Sequence, residues 1–333
     1  MRILYIIGNG LDIALNMKTS YQDFFDYYLS VPSSDNDILI MKNNIKSQRY
    51  KTWADLEMGL GSYSIMCVNK DIFLKCINDI KKNLREHLIK ESQKIEGYTI
   101  SSIADFISPG NFLEPGPRDI YDAYRHRFSA DVSIDIITLN YTQTLELLFN
   151  YTNGPLKLSQ MANLRTILHV HGTLDRMMVM GVNDSSQISN SSFKTDDDVV
   201  EEFVKPEFNE ACMNNKNSLC ETLINNADII VLYGSSLGPS DDKWWKEIGK
   251  RVGNEIFPLL IYLPYDEKKN LAVQPNHLRR WTKGYVHEIH DKFDVKISED
   301  VLASRVCVGL NKHLFPTIKS VKGPTFNSVV KTK

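Results

Sequence analysis

The sequence predicts an α/β chain built on a doubly wound, mostly parallel sheet with a helical insertion. Three observations lead there. Arg2 to Ile7 is an unbroken β-branched and apolar run that stops at Gly8, the pattern of a strand buried on both faces. Four more short, β-branched runs fall at Ser133 to Leu139, Thr166 to Val170, Asp228 to Tyr233 and Phe257 to Leu263. Helical stretches such as Thr142 to Phe149 and Lys243 to Arg251 lie between them, and strands that alternate with helices make parallel sheets.

From Asp12 onward the chain reads as helix, with Phe24, Phe25, Tyr27 and Tyr28 making a thick apolar face. Val31 to Asn44 is polar and reads as a loop, and Trp53 to Leu60 resumes a helical pattern. Asp71 to about Lys94 is the clearest helix: Phe73, Ile77, Ile80, Leu84 and Leu88 recur at steps of three and four, which places them on one core-facing stripe. Residues 108–118 carry Pro109, Gly110, Pro115, Gly116 and Pro117 and read as a loop at a pocket rim. Residues 184–200 read as a mobile loop. One domain is expected over 1–318, with the helical insertion at about 20–130 and a disordered basic tail at 319–333.

Composition narrows the function classes. The chain has 333 residues, 42% hydrophobic and 24% charged, with a formal net charge of −2. That is ordinary globular usage, and it supplies no long-range field for nucleic acid or acidic membranes. The five cysteines form no C-x-x-C pair, which argues against a disulfide framework and a zinc ribbon. No stretch approaches the roughly 20 apolar residues that span a bilayer, and the apolar start is too short for a secretory signal. A cytoplasmic setting is expected, with neither membrane nor nucleic acid as partner.

Four strand ends carry polar or small residues. Gly8-Asn9-Gly10 follows the first strand and opens a helix. Two glycines permit a tight turn and close backbone approach to a ligand, and a helix start offers N–H groups to phosphate. Asp12 either contacts a ribose hydroxyl or caps the helix. Asn140, in Thr138-Leu139-Asn140-Tyr141-Thr142, falls at the edge where open parallel sheets bind ligands; the alternative is a turn or capping asparagine. His169 and His171 share a strand face, and His171, before Gly172, is placed as a base. A metal pair there lacks a third ligand beyond Asp175, so no metal is expected. Gly234, Ser235 and Ser236 end the fourth strand and suit adenosine or phosphate, or else form a generic tight loop. Ser240 is expected to cap the helix that follows, with Asp241 and Asp242 in its first turn.

These motifs, in this order, resemble the sirtuin-like NAD-binding fold. The opening Ile6-Ile7-Gly8-Asn9-Gly10-Leu11-Asp12, with Lys18-Thr19-Ser20-Tyr21, Trp53-Ala54-Asp55-Leu56-Glu57 and Leu139-Asn140-Tyr141-Thr142, more closely resembles the bacterial abortive-infection AbiH family. The resemblance implies a Rossmann-like sheet and defence against bacteriophage, with NAD as substrate rather than recycled cofactor. It also implies that Asn140 and His171 line the nicotinamide-ribose pocket as catalytic residues. Gly8, Asn9 and Gly10 would hold the pyrophosphate. Tyr141 and Asp12 would sit in the same pocket, and Gly234, Ser235 and Ser236 at the adenosine half. The zinc-binding cysteines of sirtuin deacetylases are absent, so deacetylation is not implied, and Thr142 stands where sirtuin-like NAD-hydrolysing defence proteins carry an acid. The expected activity is hydrolysis of the nicotinamide–ribose bond of NAD, with a phage-derived trigger or defence partner protein and a homo-oligomer as possible associates. The alternatives are a non-catalytic sensor of NAD, ADP-ribose or a related nucleotide, and a metal-dependent nuclease or phosphoesterase.

Overall fold

A computed structural model describes residues 1–152, 154–264, 269 and 271–319. Nine strands occur among them. In chain order they are β1 (Arg2–Ile7), β2 (Tyr98–Ile100), β3 (Val132–Thr138), β4 (Leu156–Lys157), β5 (Ala162–His169), β6 (Ile229–Tyr233), β7 (Leu259–Leu263), β8 (Val306–Val308) and β9 (Thr317–Lys319). Seven form one sheet in the order β4-β5-β3-β1-β6-β7-β8, while β2 and β9 pair separately. Every pairing in the large sheet is parallel except β4 on β5.

The centre of the sheet is β1, paired with β3 from Arg2↔Ser133 to Ile7↔Thr138 and with β6 from Ile3↔Ile229 to Ile7↔Tyr233. The continuous apolar run of β1 has a direct cause. Ile3, Tyr5 and Ile7 point into one hydrophobic cluster, and Leu4 and Ile6 into another on the opposite face. Both faces are covered, so neither can be polar. From β1 the chain steps outward to β3 and β5, then returns to the other side of β1 for β6, β7 and β8. The order therefore reverses beside β1, and a sheet that reverses this way opens a crevice at the carboxyl ends of the strands flanking the switch.

A third hydrophobic cluster forms a helical layer. Phe24, Phe25, Tyr28, Trp53 and Phe73 are fully buried in it, and the 174–204 segment contributes Met180, Ile188 and Phe203. The helix Lys70–Ser92 is its longest element, with Phe73, Ile77, Ile80, Leu84 and Leu88 buried along the expected stripe.

Several expectations are corrected. The stretch read as a loop from Val31 to Asn44 contains most of a helix, Asn36–Gln48, capped by Asp35 and burying Ile38, Met41 and Ile45. Its apolar residues do follow helical spacing, diluted by Asn and Lys. The helix expected from Asp12 onward is broken: Gly10–Ala14 ends, Asn16 takes φ +62°, and a second helix, Tyr21–Ser30, starts at the Ser20 cap. Residues 108–118 are no plain loop, since Pro115 opens the helix Pro115–Arg125, a position where a missing N–H is harmless. The 184–200 segment is capped by Asp184 and then by Asp196, which starts the helix Asp197–Phe203, and is pinned by buried Ile188, Phe193 and Val199. Of the tail, Lys319 lies in β9 and 320–333 fall outside the described residues.

Candidate functional site

A cavity of about 440 Å³ opens at the carboxyl ends of β1, β3 and β6, a volume suited to a small-molecule ligand. Gly8, Asn9, Gly10 and Asp12 line it from β1, Asn140, Tyr141 and Thr142 from β3, and Gly234, Ser235 and Ser236 from β6. The helical layer closes the other side with Tyr21, Gln22, Asp55, Leu84 and Leu88. Nine of the ten residues singled out from sequence thus border one space. The tenth, His171, does not.

The glycines act on each other first. The N–H of Gly8 donates to the Tyr233 carbonyl at 2.9 Å, and that of Gly10 to the Gly234 carbonyl at 2.8 Å. A Cβ added to Gly10 would lie 2.4 Å from the Gly234 Cα. The N–H groups of Gly8 and Gly10 are therefore directed into the fold, while the turn itself borders the cavity. Asn9 is engaged as well: its amide donates to the Thr19 carbonyl at 2.9 Å and accepts the Thr19 hydroxyl at 2.6 Å. Ser235 accepts the Leu237 N–H on its hydroxyl at 3.1 Å.

Asp12 is the most deeply placed charged group of the lining, 1% exposed. Its carboxylate accepts the Thr142 and Thr144 hydroxyls at 2.6 and 2.7 Å, so it neither caps a helix nor points to bulk water. Burial pushes its carboxyl up to about 6, against the lowering effect of the two hydroxyls. The Asn140 amide donates to the Gly8 carbonyl at 3.3 Å, and its backbone carbonyl meets His169 Nδ1 at 2.9 Å. The other nitrogen of His169 meets Glu146 at 2.8 Å. Tyr141 donates its hydroxyl to the Val179 carbonyl at 3.0 Å, and burial raises it well above the usual phenol range.

His171 lies behind the cavity wall. Its Nε2 faces Asp241 Oδ1 at 2.8 Å, and its buried Nδ1 has no hydrogen-bond partner among the described residues. Burial, then the Lys205 ammonium, lower the imidazole below its usual value. A neutral ring whose Nε2–H is given to a carboxylate has its free lone pair on the side away from Asp241. His171 thus meets the cavity only through Asp241. Asp241 itself lines the cavity, and burial raises its carboxyl, but Lys205 and His171 outweigh that and hold it well below the usual carboxylate range. Lys205 bridges Asp241 at 2.9 Å and Glu57 at 2.8 Å, and donates to the Ser240 carbonyl at 3.0 Å. Burial pushes Glu57 up to about 7 despite Lys205. Ser240 caps nothing: it sits in a 3-10 turn, and the helix it was expected to start begins at Asp242 with no side-chain cap.

A family model described as bacteriophage abortive infection AbiH matches residues 4–262. The chain belongs to the AbiH family. No curated protein matches it.

In this AbiH chain the matched span contains every residue that lines the cavity, and the family places the protein in phage abortive infection. Two motifs to which the sequence assigned no role now have one. Thr19, Ser20 and Tyr21, of Lys18-Thr19-Ser20-Tyr21, and Ala54 and Asp55, of the segment ending at Glu57, line the cavity's helical side. The motifs themselves were the available signal for them. Lys205 carried none, because a lysine before Pro206 at a helix start reads as a solvated residue. Among the described residues, no group of three or more His, Cys, Asp or Glu side chains is placed to hold a metal ion, and no helix is long and apolar enough to cross a membrane.

Proposed function

We propose that this AbiH-family chain acts in phage defence by hydrolysing NAD at the nicotinamide–ribose bond. The observation that carries the reading is the cavity at the sheet's switch point, where Asn140 and a buried carboxylate of raised pKa, Asp12, border the same space. The strand order, with β1 between β3 and β6, is the one in which Rossmann-type sheets bind dinucleotides at that crevice, and it supports the sirtuin-like resemblance.

The chemistry is compatible with these groups. Nicotinamide leaves with the bonding electron pair and becomes neutral, so no acid is needed. The ribosyl centre becomes oxocarbenium-like and is stabilised by nearby negative charge. Water then adds at that carbon and gives its proton to a base, leaving ADP-ribose. Asp12, with a carboxyl near 6, is matched to accept a proton at neutral pH. Asn140 orients the ribose or the water. Asp241 supplies a fixed negative charge, and His171 acts through it as a positioning residue.

A second reading has its own support. Asn140, Asp12 and Asn9 all have partners within the fold, which suits a nucleotide sensor that binds without turnover. One experiment separates the two. NAD and free nicotinamide are measured in phage-infected cells that the chain protects, beside cells carrying Asn140→Ala. NAD loss with nicotinamide release in the first alone is expected. Protection with an unchanged NAD pool overturns the hydrolase.

A further inference from the structure

The charge of the cavity wall restricts which dinucleotide can enter. Among the described residues the lining includes three aspartates, Asp12, Asp55 and Asp241, and no lysine, arginine or histidine. Three cations among the described residues bond residues of the wall, and each has a carboxylate partner. Lys205 lies between Glu57 and Asp241. Lys292 donates to the Ser236 carbonyl and pairs with Glu288 at 2.8 Å. Arg49 bonds the Gln22 side chain and pairs with Asp26 at 2.5 Å. None of these three is left to neutralise an added phosphate.

We propose that this site selects the dinucleotide of lowest negative charge, taking NAD⁺ over NADP⁺ and over NADH. The inference rests on the nucleotide reading above and adds the ligand's charge state to it. Enzymes that take NADP carry an arginine for the 2′-phosphate, whereas an acidic residue suits a free ribose hydroxyl. An extra phosphate held in or at the mouth of this space meets carboxylates, where weak solvent screening strengthens the repulsion. The oxidised nicotinamide ring is a cation, and Tyr21 and Tyr141 offer aromatic surface beside the same carboxylates. The reduced ring forfeits that attraction. The pyrophosphate common to all three ligands is left to neutral groups of the wall such as Ser235 and Ser236.

The test compares NAD⁺, NADH and NADP⁺ on the full chain, as Kd by calorimetry where no nicotinamide is released and as kcat/KM where it is. NAD⁺ is expected to be preferred over NADP⁺ by tenfold or more, with NADH weaker than NAD⁺. Asp55→Asn provides the second arm. Asp55 Oδ1 caps the helix Leu56–Tyr63 by accepting the N–H groups of Glu57 and Met58 at 2.9 and 3.0 Å. Asparagine keeps that cap while removing the charge, so the NADP⁺ discrimination should shrink at least threefold with folding unchanged. A preference below tenfold, or a ratio unmoved by Asp55→Asn, overturns the inference alone. Failure of all three ligands to bind overturns the nucleotide reading, and the inference with it.

Discussion

Gly10 donates its N–H to the Gly234 carbonyl at 2.8 Å, and the two backbones meet with no room for a side chain between them. This contact joins the loops after β1 and β6 and sets the floor of the cavity. A glycine pair that reads in sequence as a phosphate-binding turn is first a packing device.

Gly10→Ala is therefore expected to destabilise the fold by about 1–3 kcal/mol, because the new Cβ meets backbone rather than a mobile side chain. Gly284→Ala is the control: the residue is exposed within the helix Leu278–Lys292 and nothing lies within 4 Å of its added Cβ. That change should stabilise by about 0.5–1 kcal/mol. Urea denaturation midpoints of the two variants, expected to move in opposite directions, check the pair.

Asp12 makes stability fall as pH rises. Its carboxyl goes from an ordinary 3.8 to about 6 on folding, so between those values the folded chain binds more protons than the unfolded one. The slope of unfolding free energy with pH is then negative in this window, and above it the ionised group opposes folding by about 3 kcal/mol. Asp12→Asn should remove that slope. Denaturation measured between pH 4 and 7 on both proteins reads it directly.

The same group sets the pH profile of the proposed reaction. As a base it must be deprotonated, so nicotinamide release should rise with pH through about 6. Asp12→Asn is expected to lower kcat by about 10²–10⁴-fold. His171→Gln, whose ring acts only through Asp241, should keep more than about a tenth of the rate, since it removes no group that touches the ligand. Equal losses in the two variants would return the base role to His171.

Lys205 is buried between Glu57 and Asp241. Lys205→Met leaves two carboxylates without their counter-ion and should destabilise by about 3–5 kcal/mol. The double variant Lys205→Met/Glu57→Gln should recover part of that loss, because one of the two buried charges goes with its partner. A double-mutant cycle by chemical denaturation measures the recovery.

Much of this arrangement was legible in the amino-acid order. The unbroken run of β1, the β-branched segments of β3, β6 and β7 and the stripe of the Lys70–Ser92 helix follow from local pattern, because burial on both faces or on one stripe leaves a period that can be counted. Helix Asn36–Gln48 escaped because its buried Ile38, Met41 and Ile45 are spaced among polar residues. The broken helix after Ala14 escaped because Asn16 at φ +62° is a property of one backbone dihedral.

The sequence by itself determined the mostly parallel sheet and the family, and named four strand ends of which three border the cavity. Each rests on residues close together in the chain. Only the tertiary structure decided that Gly8 and Gly10 turn their N–H groups on the β6 loop, that Asp12 is the buried carboxylate of the site, and that His171 stands behind Asp241. These are contacts between residues far apart in sequence. Whether a side chain meets a ligand or another side chain is fixed by packing across the sheet, and no spacing along the chain records it.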